Sequence, residues 1–209
     1  SGVESMHAYQ FGIHGYPLNG PRQPVVRVSW NRAMDFCAWL SEKTGLAFTL
    51  PAEGEWEHAC RAGTDTPFYW GGLDTDFSGH ANLGDARLRE FARNTYIQVN
   101  LLENPNRYDD WIPKEERFDD GHFIAAEVGR YAPNPWGLLD MHGNVREWTR
   151  STYPEGLDLP ADGGPDARRA VRGGSWYDRP KRATAASRAG YAEFQPVFDV
   201  GFRVALTGP

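Results

Sequence analysis

The sequence predicts an α+β domain in which short strands and two or three short helices are set in much irregular structure. Three observations predict it. Apolar residues recur at helical spacing only early in the chain, at Ala33, Phe36, Cys37 and Leu40 and again at Trp56, Ala59 and Cys60. Beyond Met141 the pattern changes to short β-branched runs broken by turn residues. Glycine (23) and proline (15) are frequent across the 209 residues, which favours turns over long regular elements.

Residues 1–23 read as a divergent or truncated lead with breaks at Gly12, Gly15, Pro17, Gly20 and Pro21, and residues 24–209 as one domain. Pro24-Val25-Val26-Arg27-Val28 is expected to be a strand. A helix follows, with Asn31 as its cap and Gly45 as its stop. A second helix is expected within Leu50–Gly63, where Glu53, Glu55 and Glu57 complement the positive end of its dipole and Gly63 suits its C-terminal turn. Asp85–Arg93 resembles a third, with Leu88, Phe91 and Ala92 on one side. It lies in a long, weakly periodic stretch, 64–135, which needs something to hold it, and a bound metal ion is one answer. Later strands are expected at Ala170–Arg172, Ala183–Ser187 and Val200–Ala205, with 153–168 as an exposed loop.

A net charge of −6 argues against a general nucleic-acid binder. Within that acidic total, Arg168, Arg169, Arg172, Arg179, Lys181 and Arg182 form a local basic patch, to be read first as a solvated face with local ion pairs. No apolar run approaches the roughly 20 residues that cross a bilayer, so no membrane insertion is expected. The opening Ser1-Gly2-Val3 has no charged leader region, and the lead suggests a piece of a longer chain. Two cysteines, Cys37 and Cys60, allow one bridge or two buried thiols, and Cys37 on an apolar stripe favours burial. Compartment stays open, leaning to an extracellular or periplasmic setting.

Five motifs occur in order: Pro24–Trp30, Leu50–Glu57, Asp140-Met141-His142-Gly143-Asn144-Val145-Arg146-Glu147-Trp148-Thr149, Val171-Arg172-Gly173-Gly174-Ser175-Trp176, and Val200-Gly201-Phe202-Arg203-Val204. Together they resemble the formylglycine-generating enzyme (sulfatase-modifying factor) family, over about residues 24–206. The resemblance implies an elaborated C-type lectin fold. One departure is local: Ala52 stands where the family has a capping Thr or Ser ahead of Glu55, which forgoes roughly 0.5–2 kcal/mol.

Hard cations take several oxygens from carboxylates, amides and carbonyls. Asp140 and Glu147, with the carbonyls of Gly143 and Val145 between them, offer such a set in one segment, and the family resemblance implies calcium there. It implies a second calcium site at Asn82 and Leu83, closed by Asp120 and the carbonyl of His122. That site would pin the ends of the irregular stretch together. Both would be structural.

The same resemblance places two copper(I)-binding cysteines just after Gly173-Gly174-Ser175, and those places hold Asp178 and Ala183. Soft thiolates suit copper(I), and neither residue supplies one. The copper route is therefore not expected, and Cys37 and Cys60 are expected to be buried free thiols, since their family partner places near Ala185 and at Val204 carry no sulfur. The six histidines, His7, His14, His58, His80, His122 and His142, read as surface or satisfied core residues rather than ligands. What remains is the segment 176–199, rich in the aromatic and arginine residues that dominate binding hot spots. Trp176, Tyr177, Asp178, Arg179, Arg182, Tyr191 and Phe194 are the candidate contacts, although Phe198, Phe202, Arg188 and Arg203 also suit a core or buried ion pairs. The segment lies where variable proteins of diversity-generating retroelements, which share the fold, carry their variable positions. The leading reading is a calcium-stabilised module that binds a protein or glycan. The alternative is an oxidoreductase paralogue using another metal or a partner domain.

Overall fold

In the computed structural model, which describes residues 20–88, 114–153 and 168–207, two helices precede most of the strands. Helix α1 spans Trp30–Thr44. Its cap is Ser29 rather than the expected Asn31: Ser29 is extended at ψ 159° and its hydroxyl accepts the Arg32 N–H at 3.3 Å. Gly45, at φ 72°, ends the helix by donating to the Ser41 carbonyl. Ala33 and Cys37 are buried on its inner face. Phe36 sits at the rim of that stripe, 40% exposed, with its ring 5.5 Å from that of Phe202.

Strand β1 (Phe48–Thr49) leads into helix α2 (Glu53–Arg61). Half of a capping box forms there. The Ala52 N–H donates to Glu55 Oε2 at 2.7 Å, but the methyl of Ala52 accepts nothing in return. Ala62, at φ 47°, and Gly63, at φ 88°, turn the chain out of the helix.

Strands β2 (Arg146–Thr152), β3 (Arg168–Arg172), β4 (Arg188–Ala192) and β5 (Val200–Phe202) form one sheet in the order β4-β3-β2-β5. The β2–β3 and β3–β4 pairs are antiparallel and the β2–β5 pair is parallel, with Glu147 opposite Arg172 and Gly201. Strand β6 (Ala205–Leu206) pairs with β1 instead. One core cluster joins α1 to this sheet through Ala33, Cys37, Trp148, Val171 and Val200. A second gathers Leu88, Phe123, Ile124, Val145 and Trp176. Each such large apolar side chain contributes about 1.5–3 kcal/mol by leaving water.

Five expectations of strand and turn change. Pro24–Val28 is not a strand, because Arg27 takes the left-handed φ of 58° that no ladder accepts. Ala183–Ser187 is a turn: Pro180–Arg182 forms a short 3₁₀ helix whose first carbonyl accepts the Ala183 N–H, and the strand begins only at Arg188. Val200–Ala205 divides between two sheets, since Arg203 leaves the ladder to meet Glu147. The segment Asp140–Glu147, read from sequence as one ion-binding set, passes at Arg146 into the inner strand β2. The expected strand at Ala170–Arg172 begins two residues earlier, and Arg168 leaves the expected loop to join it. The rest of that loop, 154–167, and residues 89–93 of the expected third helix lie outside the described residues, as do 1–19.

Candidate functional site

The turn after β3 and the first residue of β2 meet at one end of the sheet. Gly173 and Gly174 take φ of 92° and 71°, and a Cβ on Gly174 would stand 2.6 Å from that of Ala183. Only glycine lets the two turns touch there. The next turn presents Asp178 to Arg146. Arg146 donates from Nε to Asp178 Oδ2 at 2.9 Å and from Nη2 to Oδ1 at 2.6 Å, and from Nη1 to the Tyr191 hydroxyl at 2.7 Å. Asp199, at the start of β5, lies 3.6 Å from the same guanidinium and accepts from the Ser175 hydroxyl at 2.7 Å. Burial works against the charge of Arg146, yet Asp178 and Asp199 hold its pKa above the ordinary value. Burial raises that of Asp199, partly offset by Arg146.

This ion pair forms the floor of a hollow of about 680 Å³, within the size range of ligand sites. Of the seven expected contact residues, Tyr177, Asp178, Arg179, Arg182 and Tyr191 line it, together with Lys114, Lys181 and Phe198. One expectation is corrected, and one residue stands apart from the hollow. Trp176 is 1% exposed and belongs to the core, because its position after Ser175 points it under the turn. Phe194 is 69% exposed and stands outside the hollow's lining. Asp178 faces the hollow, but both its oxygens are taken by Arg146. The basic patch also divides. Arg172 is buried against Glu53 and Glu57 and Arg169 pairs with Glu193, whereas Arg179, Lys181 and Arg182 make no ion pair among the described residues. Arg146, Asp199 and Lys114 were missed from sequence. Alternation along β2 would have exposed Arg146, since Glu147 points to the opposite face.

The expected calcium ligands fall in two neighbouring places joined by a bridge between Asn82 and Gly143, where the Asn144 N–H donates to the Asn82 carbonyl at 2.8 Å. A Cβ on Gly143 would lie 2.2 Å from that carbonyl oxygen. Around Asn82 and Leu83, Asp120 accepts the Leu83 N–H at 2.8 Å and the His122 N–H at 2.9 Å, so all four residues come together. Asn82 Oδ1 is buried and accepts no hydrogen bond among the described residues. Asp85 lies beside Asp120, and burial together with their mutual repulsion raises the pKa of Asp120, as burial raises that of Asp85. A buried amide oxygen without a donor, next to crowded carboxylates, is what a hard cation would complete. At the other place Asp140 Oδ1 is likewise buried and unpartnered, while Oδ2 accepts from Gly129 N–H at 2.6 Å. Glu147 is more committed: Oε2 accepts from Trp56 Nε1 and Arg203 Nε, each at 2.6 Å, and Oε1 from Arg203 Nη2 at 2.7 Å. It retains only part of one oxygen for a metal.

Copper(I) fits less well. At the two places where the resemblance expects thiolates, Asp178 is bound to Arg146 and Ala183 is a fully buried methyl. Both cysteines are buried thiols elsewhere. Burial, reinforced by Glu147, pushes the Cys60 thiol up to about 12, and burial pushes His142 down to about 4. His142 Nδ1 lies 2.7 Å from the Ala183 carbonyl, which places its proton there and leaves Nε2 to face Cys60 Sγ at 3.3 Å. Among the described residues no three His, Cys, Asp or Glu side chains group as a metal set. His7 and His14 lie outside those residues.

Residues 15–207 match the family described as the sulfatase-modifying factor enzyme 1-like domain. The chain is 33% identical over 193 residues to the inactive C-alpha-formylglycine-generating enzyme 2 of Mus musculus, covering 87% of this chain and 48% of the relative. It is 31% identical over 196 residues to the formylglycine-generating enzyme of Streptomyces coelicolor, covering 88% and 53%. The solved structure of PvdO from Pseudomonas aeruginosa superposes with a TM-score of 0.68 at 28% identity, covering 91% of this chain and 64% of that one. The chain thus spans about half the length of these curated relatives. It belongs to the sulfatase-modifying factor enzyme 1-like domain family.

Proposed function

We propose that this member of the sulfatase-modifying factor family is a calcium-stabilised ligand-binding module, recognising a protein or glycan through the hollow above Arg146, and not a copper-dependent oxidase. The observation that carries the reading is the fate of the two thiolate places. Asp178 is locked to Arg146 as part of the hollow's floor, and Ala183 packs against Gly174. Neither offers a soft donor, while the walls around them keep the aromatic and arginine side chains that anchor ligands. A relative named as inactive supports the same direction. Calcium, held by Asn82, Leu83, Asp120 and His122 and more weakly by the Asp140 segment, would fasten the irregular middle of the chain to the β2 turn.

Glycan and peptide arrays probed with the wild-type protein and with an Arg179→Ala/Arg182→Ala double variant test the reading. The expected result is a selected ligand whose binding falls at least tenfold in the variant. An array without a selected ligand, or one indifferent to the substitutions, would contradict it.

A further inference from the structure

The hollow above Arg146 does not end at Arg182. A second hollow of about 400 Å³ shares Arg146 and Arg182 as its wall and runs along the start of β4. Among the described residues its lining holds five arginines and no acidic side chain. The larger lobe has five cationic side chains against Asp178 and Asp199, both of which Arg146 already engages. In a chain of net charge −6, the two lobes concentrate positive charge in one concave place. Not all of it is available. Arg172 and Arg188 are tied to Glu53, at 2.8 and 2.6 Å, and Arg146 to Asp178. Of the lobes' cations, Arg179, Lys181 and Arg182 make no ion pair among the described residues, and Arg182 faces both lobes.

The smaller lobe also has a flat aromatic wall. A Cβ on Gly190 would lie 2.3 Å from Tyr153 Cδ1, so the absence of one lets the Tyr153 ring lie against β4. The Arg188 guanidinium sits 4.9 Å from the centre of that ring. Tyr177 and Tyr191 stand on the walls of the larger lobe.

We propose that this two-lobed cleft binds an acidic saccharide, its sulfate or carboxylate groups held by Arg179, Lys181 and Arg182 and a sugar face resting on Tyr153. The proposal rests on the binding-module reading and narrows its ligand. Guanidinium groups recognise carboxylate and sulfate oxygens through paired N–H donors. The charged side chains of the cleft are mostly donors, because Asp178 gives both oxygens to Arg146 and Asp199 leaves only its buried Oδ1 unpartnered among the described residues. A peptide brings one backbone N–H for nearly every carbonyl, and those donors would find few acceptors here. Anionic and ether oxygens of a saccharide find donors on every side.

The test is isothermal titration of the full chain with a heparin-derived hexasaccharide, with maltohexaose and hexaglutamate as parallel probes, at low and high salt. The hexasaccharide alone is expected to bind, with affinity falling at high salt. Arg182→Glu and Arg179→Glu are each expected to weaken it at least tenfold, while Arg32→Glu on the exposed face of α1 leaves it unchanged. Melting curves establish that each variant is folded. Equal or tighter binding of maltohexaose or hexaglutamate, lost in Arg182→Glu, would overturn the saccharide assignment while leaving the binding module standing. Binding of none of the three overturns it too, the module then being judged by its array selection. Binding indifferent to both reversals also overturns it.

Discussion

Arg146 and Asp178 form a buried, two-pronged ion pair, with side chains 9% and 6% exposed, at a place where the family resemblance implies a copper-binding thiolate. Removing one partner leaves the other charged and enclosed. Asp178→Ala should therefore destabilise the protein by about 3–5 kcal/mol, measured by denaturant unfolding. Reinstating thiols through Asp178→Cys/Ala183→Cys should cost a similar amount, because the guanidinium would keep only Asp199 as a charged partner, beside the Tyr191 hydroxyl. A double variant as stable as wild type would show the pair to be dispensable.

Ala52 offers the opposite kind of change. Its backbone is already extended, at φ −67° and ψ 157°, and its N–H already donates to Glu55. Ala52→Ser should complete the capping box and stabilise the fold by about 0.5–2 kcal/mol. In a chain of this size that raises the melting temperature by roughly 2–4 °C per kcal/mol.

Gly143 holds the two oxygen-rich places together. Gly143→Ala puts a methyl 2.2 Å from the Asn82 carbonyl oxygen at a backbone φ of 70°. The left-handed backbone alone costs about 1–3 kcal/mol, and the clash adds to it. Melting with and without a chelator should show a large loss of stability and a smaller chelator effect than in wild type. A variant that melts like wild type would remove the bridge from the account.

The Cys60 thiol keeps its proton up to about 12, against 9.0 for an ordinary cysteine. Between those values the unfolded chain ionises first and holds fewer protons, so stability is full below about pH 9 and falls as pH rises. The slope from this one group is about 1.4 kcal/mol per pH unit. Iodoacetamide at pH 8 should label neither Cys37 nor Cys60 in the folded protein and both after unfolding. Labelling of folded Cys60 at the rate of an unfolded thiol would contradict its burial.

The helices and the family were legible because periodicity and ordered motifs are local. The cap at Ser29 was missed by two residues, since Asn31 is as good a capping type and only geometry distinguishes them. Arg27 broke an otherwise convincing β-branched run through its own φ, which composition does not encode. Tyr177, Asp178, Arg179 and Arg182, four of the seven expected contacts, could be grouped from sequence because they follow the Gly173-Gly174 turn closely, while Tyr191 reaches the same hollow from β4. Trp176 was misplaced because an aromatic residue beside a turn is equally suited to the core or to solvent. Arg146, which opens β2, and Asp199, just before β5, are far apart in sequence, and only the parallel pairing of β2 with β5 brings them to one floor.

Metal analysis of the purified, undialysed protein, with melting before and after chelation, addresses the central claim most directly. The account predicts calcium at about one or two per chain, no stoichiometric copper or iron, and a lower melting temperature once calcium is removed. Stoichiometric copper or iron would contradict it and return the chain to the oxidoreductases of its family.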